Sequence, residues 1–142
     1  MVTIAHISDP HVGSPYFVPN LMNRVIVELN DLEPDVVICS GDLTNEGYRQ
    51  EYKNWVAYAE RIRAPMHTVP GNHEMFGIER HLSLVSKENP LYGRAMYRKM
   101  LGPDSYSFDW GGIHFLGLDT VDIEDLWYHG HVDAAQMAWL EK

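Results

Sequence analysis

Val36-Val37-Ile38-Cys39-Ser40-Gly41-Asp42-Leu43-Thr44-Asn45 decides the fold. Val36 to Ser40 is a continuous, largely apolar run, the pattern of a parallel strand covered on both faces. It breaks at Gly41-Asp42, where small and polar residues take over. A parallel strand needs neighbours reached by crossovers, and the flanking sequence supplies them. Upstream, Val2 to Ser8 is a short β-branched run that stops at Asp9-Pro10. Val18 to Leu32 then carries Leu21, Val25, Ile26 and Leu29 at helical spacing, with Asn20 as the expected N-cap. Downstream, Arg49 to Arg63 places Tyr52, Trp55, Val56 and Ala59 on one helical face. Ala64-Pro65 stops that helix, and Met66 to Val69 forms a third strand ending at Pro70-Gly71. The order is β-α-β-α-β, which predicts a parallel sheet with right-handed crossovers.

The second half has a different rhythm. Leu82 to Val85 and Arg94 to Leu101 are expected to be helical, separated by a loop at Lys87-Glu88-Asn89-Pro90. Tyr106 to Trp110 and Ile113 to Leu118 are strands joined by Gly111-Gly112, the strongest hairpin signal in the chain. Val121 to Asp133 reads as a loop, and Asp133 to Lys142 as a short amphipathic helix carrying Met137, Trp139 and Leu140. No repeat, low-complexity tract or composition break divides the chain, so residues 1–142 are expected to form one domain.

Composition narrows the function. The 142 residues are 45% hydrophobic and 22% charged, enough apolar material for one buried core. No apolar run approaches the ~20 residues that cross a bilayer, and the amino terminus lacks the basic region of a secretory leader. A single cysteine, Cys39, excludes an internal disulfide framework and fits a reducing compartment, so a cytoplasmic location is expected. The net charge of −9 disfavours nucleic-acid and membrane-surface partners. Excess carboxylate, together with eight histidines, has a second meaning: some of it can await metal cations.

Each parallel strand ends in metal-competent residues: Asp9-Pro10-His11, then Gly41-Asp42-Leu43-Thr44-Asn45, then Gly71-Asn72-His73-Glu74. In an open α/β sheet, ligands bind outside the carboxyl ends of the strands, so three clusters should converge on one edge. Carboxylate, imidazole and amide oxygen suit manganese, iron or zinc. Singly, each cluster has an ordinary reading as a strand-end turn or helix cap. Their joint occurrence, in order and each after a strand, favours a metal site.

Asp9-x-His11, Gly41-Asp42 and Gly71-Asn72-His73-Glu74 resemble the first three signature blocks of the calcineurin-like metallophosphoesterases. The wording is closest to the class of bacterial cyclic-nucleotide and glycerophosphodiester phosphodiesterases. Tyr106-Ser107-Phe108-Asp109 and Ile113 to Asp119 are similar to the hairpin that follows in that family, and Gln136 to Leu140 to its next helix. The resemblance implies an α/β fold, the α/β/β/α sandwich, here lacking the carboxyl-terminal part of the second sheet. It also implies a two-metal phosphoester hydrolase, phosphodiesterase rather than monoesterase, working through a metal-bridged hydroxide on a small phosphoester substrate. Asp9 and His11 would bind the first metal, Asp42 would bridge, and Asn72 would bind the second. His73 would not bind metal but would stabilise or protonate the leaving oxygen. Two cations ~3.5–4 Å apart clamp phosphoryl oxygens for in-line attack, and a bridging carboxylate offsets their repulsion.

The family also takes histidines from later blocks, one after a later strand and a Gly-His-x-His pair. Gly130-His131-Val132-Asp133 lacks the second histidine. A truncated chain is therefore expected, binding one divalent ion weakly and turning over slowly. The other reading is a non-catalytic metal- or partner-binding domain, or an assembly subunit that another chain completes. An exposed second sheet would favour a homodimer or strand exchange. Asn45 and Glu74 are expected either to support the site from behind or to line a substrate rim. His129 and His131 would line a substrate rim, or else belong to an ordinary loop. His6, His67 and His114 lie within strands, where packing or a supporting hydrogen bond is expected rather than ligation; His81 is expected on a solvated helix face.

Overall fold

The computed structural model describes residues 1–78, 85–125 and 127–142. Strands β1 (Ile4–Ile7), β2 (Val36–Cys39) and β3 (Met66–Thr68) form a parallel sheet in the order β1-β2-β3. Ala5, Val37 and Met66 stand in register across it, as do Ile7, Cys39 and Thr68. Side chains alternate faces along a strand, so these residues share one face. That face packs on helices α1 (Pro19–Leu32) and α2 (Arg49–Ala59), where Met22, Ile26, Leu29, Tyr52 and Trp55 join one buried cluster. Helix α3 (Ala95–Leu101) adds Met96 and Tyr97 to it.

The opposite face carries His6, Ile38 and His67 in register. It is met by the antiparallel hairpin of β4 (Tyr106–Trp110) and β5 (Ile113–Gly117). His67 stacks flat on Phe108, ring centroids 3.5 Å apart and planes 6° from parallel. The layers thus run helix, sheet, hairpin. Gly111 and Gly112 both have positive φ, 57° and 80°, the conformation that lets a two-residue turn match the twist of its strands. Strand β3 is an edge, and the Thr68 carbonyl accepts from the hydroxyls of Tyr97 (2.8 Å) and Tyr106 (2.7 Å), which cover it.

Three sequence expectations change. Val18, not Asn20, is the N-cap of α1, with Pro19 in the first turn, where its missing N–H costs nothing. Helix α2 ends at Ala59 rather than Arg63 because Asn30 of α1 captures the backbone that would extend it. The Asn30 amide donates to the Arg61 carbonyl (2.9 Å), and its oxygen accepts from the Arg63 N–H (2.8 Å). The segment expected as a loop contains a second hairpin, β6 (Val121–Glu124) with β7 (Trp127–Gly130). The final helix, α4 (Ala134–Leu140), is capped by Asp133, whose carboxylate accepts from the Gln136 N–H (2.8 Å). It buries no residue fully. The expected helix at 82–85 and the expectation for His81 fall on 79–84, outside the described residues, although Val85 itself is not helical.

Burial pushes the His67 imidazole below its ordinary pKa. The folded chain therefore holds fewer protons there than the unfolded chain, and stability rises with pH across the interval. The contribution is present above about pH 6.5 and is lost as pH falls through that value toward the folded pKa. Urea midpoints at pH 7.5 and 5.5 should differ more for the wild type than for His67→Phe, which keeps the stack and removes the titration.

Candidate metal centre

The three strand ends meet because their backbones bond to one another. The Asp9 N–H donates to the Gly41 carbonyl (3.1 Å), His11 N–H to the Asp42 carbonyl (2.9 Å) and Val12 N–H to the Leu43 carbonyl (2.9 Å). On the other side, the Val69 N–H donates to the Cys39 carbonyl (3.2 Å). Pairing therefore continues past each strand and carries the polar residues side by side. Asp9, His11 and Asp42 all adopt left-handed backbone, φ 56°, 44° and 52°. Such conformations cost roughly 1–3 kcal/mol each and persist only where surrounding contacts impose them, commonly at functional sites.

The side chains converge accordingly. One donor atom from each of His11, Asp42 and His73 lies within 4.8 Å of the other two. His11 Nε2 sits 3.8 Å from Asp9 Oδ1 and 3.8 Å from Asp42 Oδ2, too far for a direct hydrogen bond. Bonds of ~2.0–2.2 Å to one ion place its ligands about 3–4.4 Å apart, so this spacing suits a shared cation. The His11 and His73 rings meet edge to face, centroids 4.5 Å apart. Asp42 is also held from behind: its Oδ1 accepts from the His73 N–H (3.1 Å). The His73 ring is fixed by a bond from Nδ1 to the Asn45 carbonyl. A carbonyl only accepts, so Nδ1 carries the hydrogen and Nε2 is the nitrogen left for chemistry.

Asn72 opens a single 3-10 turn, Asn72–Glu74, and lines a small cavity with Asn45 and His73. Glu74 points inward from that turn and is fully buried. Its Oε1 accepts from the Thr44 N–H (2.8 Å) and hydroxyl (2.9 Å), and its Oε2 from the Gly71 N–H (2.8 Å). Burial raises the Glu74 pKa, while these three donors pull it down. Thr44 was not among the residues singled out from the sequence. A threonine in a turn carries no signal of its own, and only the pairing with Glu74 gives it a role. Cys39, beneath the site, is pushed up to about 12 by burial, which keeps the thiol protonated. His129 and His131 lie elsewhere, on and just after β7. His129 Nε2 is 3.9 Å from Asp122 Oδ2, and the structure does not bring either histidine into the His11–Asp42–His73 group. His6 and His114 are exposed, bonded to the Ser40 hydroxyl (2.9 Å) and to Asp109 (2.8 Å).

Two glycines make the convergence possible. A Cβ on Gly41 would stand 2.5 Å from the Gly71 nitrogen, and one on Gly71 would stand 2.2 Å from Asp42 Oδ1 and 2.6 Å from the Asp42 nitrogen. Gly71 has φ −99°, open to any residue, so its requirement is crowding alone. Gly71→Ala should cost about 2–3 kcal/mol by overpacking and displace the Asp42 carboxylate. Urea denaturation and Mn²⁺ titration should therefore both register it. Gly130→Ala, with open space around the glycine and no positive φ, should leave Mn²⁺ titration unaltered.

A family model described as calcineurin-like phosphoesterase matches residues 2–142. A probable glycerophosphodiester phosphodiesterase (GpdQ) of Arcobacter nitrofigilis is 27% identical over 98% of this chain and 50% of its own length. The glycerophosphodiester phosphodiesterase GpdQ of Enterobacter lignolyticus is 36% identical across 50% of this chain and 29% of its own. The chain thus spans about half the length of the first of these relatives and less of the second. Among solved structures, a purple acid phosphatase from yellow lupin (Lupinus luteus) superposes with a TM-score of 0.60 at 19% identity. It covers 99% of this chain and 27% of that one, a likeness of fold. With the model match spanning almost every residue and the strand-end motifs assembled on one sheet edge, this chain belongs to the calcineurin-like phosphoesterase family.

Proposed function

We propose that the chain carries a metal-dependent phosphoester hydrolase site acting on small phosphodiesters in preference to monoesters. The observation that supports it most is the convergence of His11, Asp42 and His73, with donor atoms within 4.8 Å, at the carboxyl edge of a parallel sheet. Asp9, His11 and Asp42 would hold one divalent ion, and Asp42 and Asn72 a second. Manganese, iron and zinc all suit these donors. Bound ions of this kind acidify water and neutralise charge on a phosphoryl group. Three and two protein ligands are few, so occupancy by one ion and weak affinity are expected of these residues.

The remaining work falls to side chains. Asn45 holds the His73 ring, whose protonated Nε2 would give its hydrogen to the departing ester oxygen as the P–O bond breaks. Asn72 would also turn its amide nitrogen toward a phosphoryl oxygen. Glu74 would keep the two loops at the spacing the ligands require. No helix among the described residues is long and apolar enough to cross a membrane. The buried, reduced Cys39 supports a cytoplasmic setting. The test is hydrolysis of bis-p-nitrophenyl phosphate and p-nitrophenyl phosphate in added Mn²⁺. Slow, chelator-sensitive turnover favouring the diester is the expected result. Absence of turnover together with absence of Mn²⁺ binding would overturn the reading.

A second reading has its own support. Trp110 and Ile113, cross-strand partners on the β4–β5 hairpin, are exposed on the side that turns toward the parallel sheet, as is Ile4 on β1. Such a face suits a homodimer or a partner chain that adds ligands to the site. Sedimentation of a well-behaved monomer that binds no dye specific for exposed apolar patches would exclude it.

A further inference from the structure

We propose that the apolar groove beside the metal centre seats a hydrophobic organic group of the substrate, so that the preferred phosphoesters carry one phosphoryl group and an aromatic or alkyl substituent. This rests on the phosphoesterase reading above and extends it to substrate class. A cavity of about 690 Å³ opens beside the cluster, within the size range of small-molecule sites. Asp9, His11 and His73 line one end of it. Phe17, Leu21 and Val25 line its wall, with Tyr16 at its mouth.

The apolar surface of α1 is wider than its core contact needs. Met22, Ile26 and Leu29 are buried against the sheet, yet Leu21 remains 59% exposed one position away. Leu21 and Val25, four residues apart, form a second row on the helix surface that faces the groove. The wall is preformed, since Phe17 is braced edge-on by Tyr58, centroids 5.6 Å apart. Neither lysine nor arginine is among the described residues lining the cavity. A second phosphate or another anionic group would find no partner there, whereas an apolar group would leave water for apolar contacts.

Calorimetric titration of the full chain in Mn²⁺ with phenylphosphonate and methylphosphonate tests the assignment without turnover. Phenylphosphonate should bind about tenfold more tightly. Leu21→Asn should bring that ratio close to one. Val27→Asn, on the same helix and similarly exposed but outside the groove, should preserve it. Methyl resonances of Leu21 and Val25 should shift with phenylphosphonate and not with methylphosphonate, which reports the contact without any substitution. Equal affinities for the two phosphonates, with binding still dependent on Asp42, would overturn the groove assignment and leave the metal-centre reading intact. Failure of both phosphonates to bind would overturn both readings, whereas binding of phenylphosphonate alone would support the groove.

Discussion

Asp42→Asn should abolish turnover of bis-p-nitrophenyl phosphate and weaken Mn²⁺ binding by about 100-fold or more, since even residues that only orient metal ligands cost 10–100-fold when changed. The urea midpoint should barely move. Asparagine has the same shape, and it tolerates left-handed backbone as aspartate does, so φ 52° at this position adds no new strain. Its amide oxygen can still accept from the His73 N–H, the bond that Asp42 Oδ1 makes at 3.1 Å. What disappears is the negative charge and the ability of both oxygens to face cations. The pairing with His73 sharpens the test. His73 lies as near to Asp42 and His11 as a ligand would, yet the proposed role is proton donation from Nε2. His73→Asn should therefore slow hydrolysis while Mn²⁺ affinity stays within a few-fold of the wild type. A parallel loss of Mn²⁺ affinity in both variants would reassign His73 as a ligand.

The parallel core was legible because its signals are local and redundant. Val36 to Cys39 is an unbroken apolar run, and its neighbours differ only in where pairing stops. The Gly111-Gly112 turn was legible because only glycine readily supplies two successive positive φ values. The β6–β7 hairpin was not, because its turn carries Asp125 at φ 56° and no glycine. Its strands are only four residues long, too short for alternation to stand out. The early end of α2 was equally hidden, since Asn30, some thirty residues upstream, supplies the competing hydrogen bonds.

The same division holds at the site. Asp9, His11, Asp42 and His73 announce themselves by residue type and by position after strands. The left-handed backbones of Asp9, His11 and Asp42 do not, because an aspartate or histidine adopts ordinary backbone far more often than a positive φ. Those conformations follow from hydrogen bonds between loops, a tertiary effect. Sequence places Glu74 in the third cluster and leaves open whether it supports the site or lines a substrate rim. Its partners, Thr44 and Gly71, emerge only when the loops after β2 and β3 are brought together.

That junction gives the largest stability effect expected in the chain. Glu74→Ala should cost about 3–5 kcal/mol, because removing a buried acceptor leaves each orphaned donor with a penalty of ~1–3 kcal/mol. The Thr44 N–H loses its carboxylate acceptor, as does the Gly71 N–H, and Thr44 is fully buried. Against a total stability of about 5–15 kcal/mol, that cost is a large share, so the urea midpoint of the variant should fall steeply. Glu74→Gln separates hydrogen bonding from volume. Its oxygen can serve Thr44, but its amide nitrogen then faces the Gly71 N–H, donor against donor, so about 1–3 kcal/mol should be lost. Burial opposes the charge that glutamine removes, which places the loss toward the lower end. Urea denaturation should rank wild type above Glu74→Gln and Glu74→Ala last. If Glu74→Ala unfolded at the wild-type midpoint, the carboxylate would not be what ties the second strand-end loop to the third. The convergence of Asp42 with His73 would then need another cause.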